Sequence, residues 1–229
     1  MADCHEMPDW TARPQPAGDT LVGRHCRLDR LQVERDAASL FEAYAPASDT
    51  GDRDYLPYGP FPTLEALSAW LSKVSAGSDP LVYVIRESAD EGSTGAALGI
   101  LAFMRIDAPS GVIEIGHIHF SRRLQRTTAA TEAIFLLLAH AFDNLGYRRI
   151  EWKCDAAHIR SRRAAERFGF RYEGTFRQHR VVKGRNRDTA WFAMLDGDWP
   201  AIKAEFQRWL EPSNFDAAGH QLTALRSLG

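Results

Sequence analysis

The stretch "SRRLQRTTAATEAIFLLLAHAF", residues 121–142, decides how the rest of the chain is read. An Arg and Thr cluster runs directly into a long apolar helix, with no proline or glycine at the boundary. Ile134, Leu137, Leu138, Ala141, Phe142 and Leu145 follow the spacing of a buried helix, and Gly146 stands where a C-cap would end it. About 18 residues at 1.5 Å each give roughly 27 Å, enough to cover a sheet. A helix start exposes unpaired N–H groups and the positive end of the backbone dipole, and so attracts phosphates. Gln125, Arg126, Thr127, Thr128, Ala129 and Ala130 occupy that start. Their small members let a pyrophosphate approach the backbone, and Arg122, Arg123 and Arg126 add positive charge around it. The same residues also suit a plain Thr-capped core helix with solvated arginines, so the flanking chain must decide.

Working outward, "GVIEIGHIHF" at 111–120 and "YRRIEWKC" at 147–154 read as strands on either side of the helix. A strand–helix–strand crossover over 112–154 is expected to be parallel and right-handed. Segments 80–88 and 95–107, with short Gly-containing joins, extend the first strand into an antiparallel meander. Upstream, 20–31 alternates as a strand, Asp36 is placed to cap a helix through Tyr44, and Thr63 opens a second helix through Val74. Between them, "PASDTGDRDYLPYGPFPT" reads as a loop with exposed aromatics. Downstream, Asp155 is placed to cap a helix through 168 that stops at Gly169. A hairpin around "KGRNR" and an amphipathic helix at about 198–210 follow. The expected organisation is a flexible lead-in at 1–19, one domain at 20–210 and a weakly patterned tail at 211–229.

A length of 229 residues fits one large domain, and 45% apolar with 25% charged residues is the composition of an ordinary soluble globular protein. The longest apolar run, "AIFLLLA" at 133–139, is too short to cross a bilayer, and no signal-peptide pattern is visible. No membrane partner is therefore expected. Cys4, Cys26 and Cys154 are odd in number, widely spaced and without a C-x-x-C pair, which points away from disulfides and zinc and towards a reducing cytoplasm. A net charge of -2 argues against bulk nucleic-acid binding, despite the basic clusters "SRRLQR", "RSRRAAER" and "KGRNR".

These motifs, in this order, resemble the Gcn5-related N-acetyltransferases (GNAT), particularly the RimJ/RimL-like group. "EIGHIHFSRRLQRTTAATEA" is similar to the family's acetyl-CoA-binding strand and helix, with Gln125, Ala130, Thr131, Glu132 and Ala133 matching. "LGYRRIEWKCDAAHIRSRRAAERFGFRYEG" and "VVKGRNRDTAWFAMLDGDWP" resemble the following strand–helix unit and the closing hairpin, so that the likeness spans about residues 20–200. It implies an α/β fold, a twisted, mixed and mostly antiparallel sheet that splays at a central parallel pair, flanked by helices. It also implies acetyl-CoA as donor, without a metal, and a primary amine as acceptor in a ternary complex, the amine being a protein or peptide N-terminus or a small molecule. A homodimer is a further expectation of the family.

Carried over residue by residue, the resemblance makes Glu114 the first candidate for general base and Ser161 the donor of a hydrogen bond to the leaving thiolate. Ile115, His117 and Ile118 on the strand join residues 125–130, His158 and Ser161 as cofactor contacts. A backbone N–H near Ile115–Ile118 would serve the oxyanion if Gly116 marks a bulge. Tyr55, Tyr58 and Phe61 fall in the acceptor region. Strand alternation puts His117 and His119 opposite Glu114, where His117 suits packing, and the two lack a third ligand for a metal. The chain departs from the pattern at Thr128 (Gly in the family), His158 (Asn), Arg180 (an acid in some relatives) and Ala165 (an acid tyrosine elsewhere). The loss of the acid at Arg180 tilts the reading away from a strict ribosomal-protein role. A non-catalytic acyl-CoA sensor is the alternative that these departures leave open. Cys154 reads as a small buried hydrophobe rather than a nucleophile.

Overall fold

In this computed structural model the described residues are 6–45, 55–87 and 95–226; Cys4 and residues 46–54 of the expected aromatic loop lie outside them. Eight strands form one sheet: β1 (Leu21–Val22), β2 (Cys26–Arg30), β3 (Leu81–Glu87), β4 (Ala97–Asp107), β5 (Val112–Phe120), β6 (Arg149–Asp155), β7 (Arg171–Val182) and β8 (Arg185–Leu195). Their spatial order is β1-β2-β3-β4-β5-β6-β8-β7. Every neighbouring pair is antiparallel except β5 and β6. Five α-helices flank it: α1 (Val33–Tyr44), α2 (Leu64–Val74), α3 (Thr128–Ala139), α4 (Ile159–Arg167) and α5 (Trp199–Leu210).

Period-2 alternation distributes the meander between two cores. Val82 and Val84 of β3, with Ile100 and Ala102 of β4, face α1 and α2 and pack on Leu40, Leu67 and Leu71. Tyr83, Ile85, Leu101 and Phe103 face the other side, against Ile134, Leu137 and Leu138 of α3. The apolar run of α3 thus lies on the sheet and is covered outside by α5, where Phe135 stacks on Phe206 at 5.4 Å. The helix widens to a π-turn over His140–Asn144 before Gly146, at φ +70°, turns the chain into β6.

Several expected boundaries shift. The single strand at 20–31 is a hairpin, β1 and β2, bent at Gly23–His25. Glu132 of α3 accepts the backbone N–H groups of Arg24 (2.9 Å), His25 (2.6 Å) and Cys26 (2.8 Å) there. Asp36 does not cap α1, whose N-cap is Gln32. Asp36 sits fully buried in the first turn, accepting Gln32 N–H and pairing with Arg35 and Arg86. Asp155 does not cap α4 either: His158 does, its Nδ1 accepting Ser161 N–H at 3.2 Å. Thr63 caps α2 as expected, accepting from Ala66 N–H.

The two ends are more ordered than their composition suggests. In the lead-in, expected to be flexible, Trp10 donates to Pro109 O (2.7 Å), Arg13 N–H donates to Ala108 O (2.9 Å) and Pro14 O accepts from Tyr147 (3.1 Å). In the tail, Asn214 is buried and bonds Trp209 O, Thr223 O and Thr223 N–H, and Leu225 joins the core.

Candidate active site

The parallel ladder between β5 and β6 is short. Val112, Ile113 and Glu114 pair with Arg149, Ile150 and Glu151, but β5 continues to Phe120 and β6 to Asp155 without pairing with each other. Past Glu114 the strands part, and the sheet splays. One cavity opens on each side of this fork, and the two meet at Leu56, Ile118, Trp152, His158 and Ser161.

The larger, a cleft of about 740 Å³, runs between the starts of α3 and α4. Thr127 caps α3, its hydroxyl accepting Ala130 N–H at 3.1 Å, after Arg126 turns the backbone through φ +64°. Gln125 closes the approach by donating Nε2–H to Phe120 O at 3.0 Å. Thr128, in the family's glycine position, is an ordinary helical residue, so no left-handed freedom is needed there. Gln125, Arg126, Thr127, Thr128 and Ala130 line the cleft, whereas Ala129 turns away into the core. Arg160, Arg163 and Arg167 face the cleft from α4, and Phe215 and His220 of the tail close its far end. Arg167 donates to Thr131 Oγ1 at 3.2 Å, tying the two helices together. A trench with apolar walls, two helix starts and four arginines at its rim suits a pantetheine arm ending in phosphates. The sequence motifs marked one helix start; Arg163 and Arg167 of α4 and the tail residues had no signal beyond a basic run.

The smaller cavity, about 250 Å³, lies on the other side of the fork and collects side chains from five strands and the 55–61 loop. The ladder with β4 skips His117 and Ile118, between Ala102↔Gly116 and Ile100↔His119, so the bulge sits at His117 rather than at Gly116. His117 takes φ +50° there. The extra residue reverses the alternation, bringing His117 into the same cavity as Glu114 and sending His119 to stack on Tyr44 at 4.0 Å. Burial and the Arg105 charge push the His117 imidazole below its ordinary value of 6.5. Ile115 and His117, expected as cofactor contacts, line this cavity and not the cleft.

Glu114 is buried and its Oε2 accepts from Arg105 at 2.5 Å and Lys153 at 2.9 Å. Lys153 also pairs with Glu151 at 2.5 Å and lies over the Trp191 ring at 3.9 Å. Tyr58 stacks on Trp70 at 4.2 Å and lies 5.4 Å from His117; burial pushes its phenol up, and the hydroxyl has no hydrogen-bond partner among the described residues. Tyr55 lies over the His158 ring at 4.4 Å. Both tyrosines line the cavity, whereas Phe61 stands behind Tyr58, packed on Trp70 at 5.2 Å, and supports the wall instead of forming it. Ser161 Oγ, at the junction, accepts Trp152 Nε1–H at 3.0 Å, and its hydroxyl hydrogen is directed at the neighbouring Cys154 thiol, a weak acceptor from which it can turn to a stronger one. Cys154 lies beside Ser161 with its thiol pushed up by burial, so it is a poor nucleophile. From β7 and β8, His179, Arg180, Arg187 and Thr189 complete the wall, with His179 Nδ1 at 3.0 Å from Thr189 Oγ1. Arg187 and Thr189 alternate along β8, a signal that could have been read from "RNRDTAW".

A fork of this kind between a short parallel pair is the hallmark of one acyl-transfer class. The Acetyltransferase (GNAT) domain family matches residues 26–171, and the chain belongs to that family. It is an N-acetyltransferase with acetyl-CoA as its donor. A GCN5-related N-acetyltransferase from Brucella melitensis is 46% identical, covering 96% of this chain and 97% of that one, with a TM-score of 0.91. A GNAT-family structure from Chromobacterium violaceum is 42% identical, covering 87% and 98%, with a TM-score of 0.79. The uncharacterized N-acetyltransferase p20 of Bacillus licheniformis is 29% identical, covering 79% and 98%. Among the described residues no helix is long and apolar enough to cross a membrane.

Proposed function

We propose that the protein acetylates a primary amine by direct transfer, with donor and acceptor held at once in the two cavities and meeting at Ser161. The observation that carries this reading is the shared junction of Leu56, Ile118, Trp152, His158 and Ser161. Each cavity opens separately, so neither substrate must leave before the other enters. In the reaction the amine nitrogen bonds to the acetyl carbon, the carbon–sulfur bond breaks, one amine proton is lost and the departing thiolate gains one.

This chain supplies groups for each part. Residues 125–128 and Ala130 hold the phosphates, and the edge of β5 left unpaired by β6 faces the pantetheine amides. His117, held neutral, takes the amine proton; Glu114, whose Oε2 already binds two cations, positions Arg105 and Lys153 beside the nitrogen. Ser161 donates its hydroxyl hydrogen to the thiolate in place of the absent tyrosine at Ala165. Tyr55 and Tyr58 wall the acceptor. The setting is a reducing cytoplasm, which the free thiols of Cys26 and Cys154 suit.

Purified protein with acetyl-CoA and a panel of peptides, amino acids, polyamines and aminoglycosides, followed by thiol release, tests the reading. Release with at least one amine is expected. Tight acetyl-CoA binding without release for any amine would make the protein a sensor and overturn it.

A further inference from the structure

The acceptor cavity contains more positive charge than its acids offset. Four cations line it: Arg105 from β4, Lys153 from β6, Arg180 from β7 and Arg187 from β8. Glu114 engages the first two. Among the described residues, the side chains of Arg180 and Arg187 form no hydrogen bond or ion pair, and Arg187 Nε is buried without a partner. Asp155, the other acid on the wall, already accepts Ala157 N–H at 2.8 Å and lies beyond ion-pair distance of either arginine. Burial pushes the Arg187 guanidinium down, the Asp155 charge opposing this in part while Arg180 and Arg105 add to it, and burial together with all four cations depresses His179. A buried guanidinium edge without an acceptor is costly unless something arrives to accept it.

That surplus selects the ligand. A polyamine or aminoglycoside would bring several positive charges into an already positive enclosure, an unfavourable arrangement. A neutral amine would leave the Arg187 edge unpaired. A carboxylate or phosphate on the acceptor would meet two guanidinium groups built for such forks. The volume of about 250 Å³ is below the range of drug-sized pockets, so the molecule must be compact.

We infer that the acceptor is a compact primary amine bearing its own carboxylate or phosphate, and that Arg180 and Arg187 hold this anion while the nitrogen faces the junction at Ser161. The inference rests on the acetyl-transfer reading above and narrows it to one substrate class. The cationic wall has a second effect: it disfavours the ammonium form, so that the bound nitrogen is the neutral nucleophile the reaction needs.

The test uses the full chain with acetyl-CoA and matched acceptors: amino acids against their amides, phosphoethanolamine against ethanolamine, and a peptide with an acidic N-terminal residue. The expected result is a kcat/KM at least roughly 30-fold higher for an anionic member than for its neutral partner. The amino acid and phosphoamine arms tell which anion fits. In Arg180→Gln/Arg187→Gln protein this preference falls about tenfold or more, while the acetyl-CoA Kd stays within about twofold. Calorimetric binding of the favoured acceptor to the CoA complex should weaken in parallel, a readout independent of turnover. Arg187→Lys, which keeps the charge but not the fork, should restore part of the binding. Equal or faster turnover of neutral amines or polyamines would overturn the inference and leave acetyl transfer standing, as would faster turnover of the peptide than of any small acceptor. Failure of every amine to release thiol would overturn the acetyl-transfer reading itself.

Discussion

The cleft and the cavity on the two sides of the fork are assembled in different ways. Most of the cleft lining comes from two short runs, 125–131 at the start of α3 and 158–168 along α4. The cavity draws on β4, β5, β6, β7, β8 and the 55–61 loop, and its character lies in side chains brought together only by the fold. The start of α3 keeps its helical geometry with Thr128 in the family's glycine position. A side-chain site changes with every residue, which is how one fold can keep its donor while exchanging its acceptor.

The sharpest way to separate the two is Thr128→Glu. A carboxylate in the first turn of α3 favours the helix dipole, by about 0.3–1 kcal/mol, yet stands where phosphate should bind. The acetyl-CoA Kd is expected to rise about 100-fold or more with no fall in Tm, measured by calorimetry and thermal melting. An unchanged Kd would separate the α3 start from the donor.

Ser161→Ala acts at the junction and should lower kcat about 100-fold with the acetyl-CoA Kd unchanged, since it removes a hydrogen bond to the leaving thiolate and little ground-state binding. A rise in the Kd with kcat intact would move Ser161 from the chemistry to the cleft.

His117 should act on the cavity alone. As a base held below 6.5, it loses activity as pH falls through its depressed value, so the acid limb of kcat/KM should lie below 6.5. Stability has the same sign: the unfolded chain binds a proton near pH 6.5 that the folded imidazole refuses, so the His117 contribution is present above that pH and lost on acidification. His117→Asn, which tolerates the left-handed backbone at φ +50°, should remove the limb and flatten the pH dependence of Tm. An acid limb that persists in the variant would assign the proton to another group.

The smallest effect belongs to Thr128→Gly. Because Thr128 is already helical, restoring the family's glycine should change the acetyl-CoA Kd by less than about threefold and cost the helix about a few tenths of a kcal/mol, read from Tm. A large gain in affinity would show that the threonine side chain, and not only the backbone, meets the phosphates.

This contrast also governs what could be read before the structure. Periodicity of two and 3.6 was enough for the meander, the crossover and α3, because core faces impose it on the sequence. The cap residues of α1 and α4 were misplaced because Asp36 and Asp155 are good capping types nearby, while tertiary partners decided otherwise: Arg86 draws Asp36 into the core, and His158 reaches Ser161 N–H. The bulge at His117 was invisible to strict alternation, and with it the entry of that imidazole into the cavity. Glu132 appeared as a motif member without a role; its three backbone hydrogen bonds to the β1–β2 turn are contacts across more than a hundred residues. Arg105 and Lys153 stood out in no pattern, since their meaning depends on Glu114 lying between them.

Initial rates measured while varying acetyl-CoA at several fixed concentrations of a productive amine test the joined-cavity geometry most directly. Intersecting double-reciprocal lines are expected, as both substrates are bound when the acetyl group moves. Parallel lines, with acetyl recovered on Cys154 after incubation with acetyl-CoA alone, would contradict direct transfer.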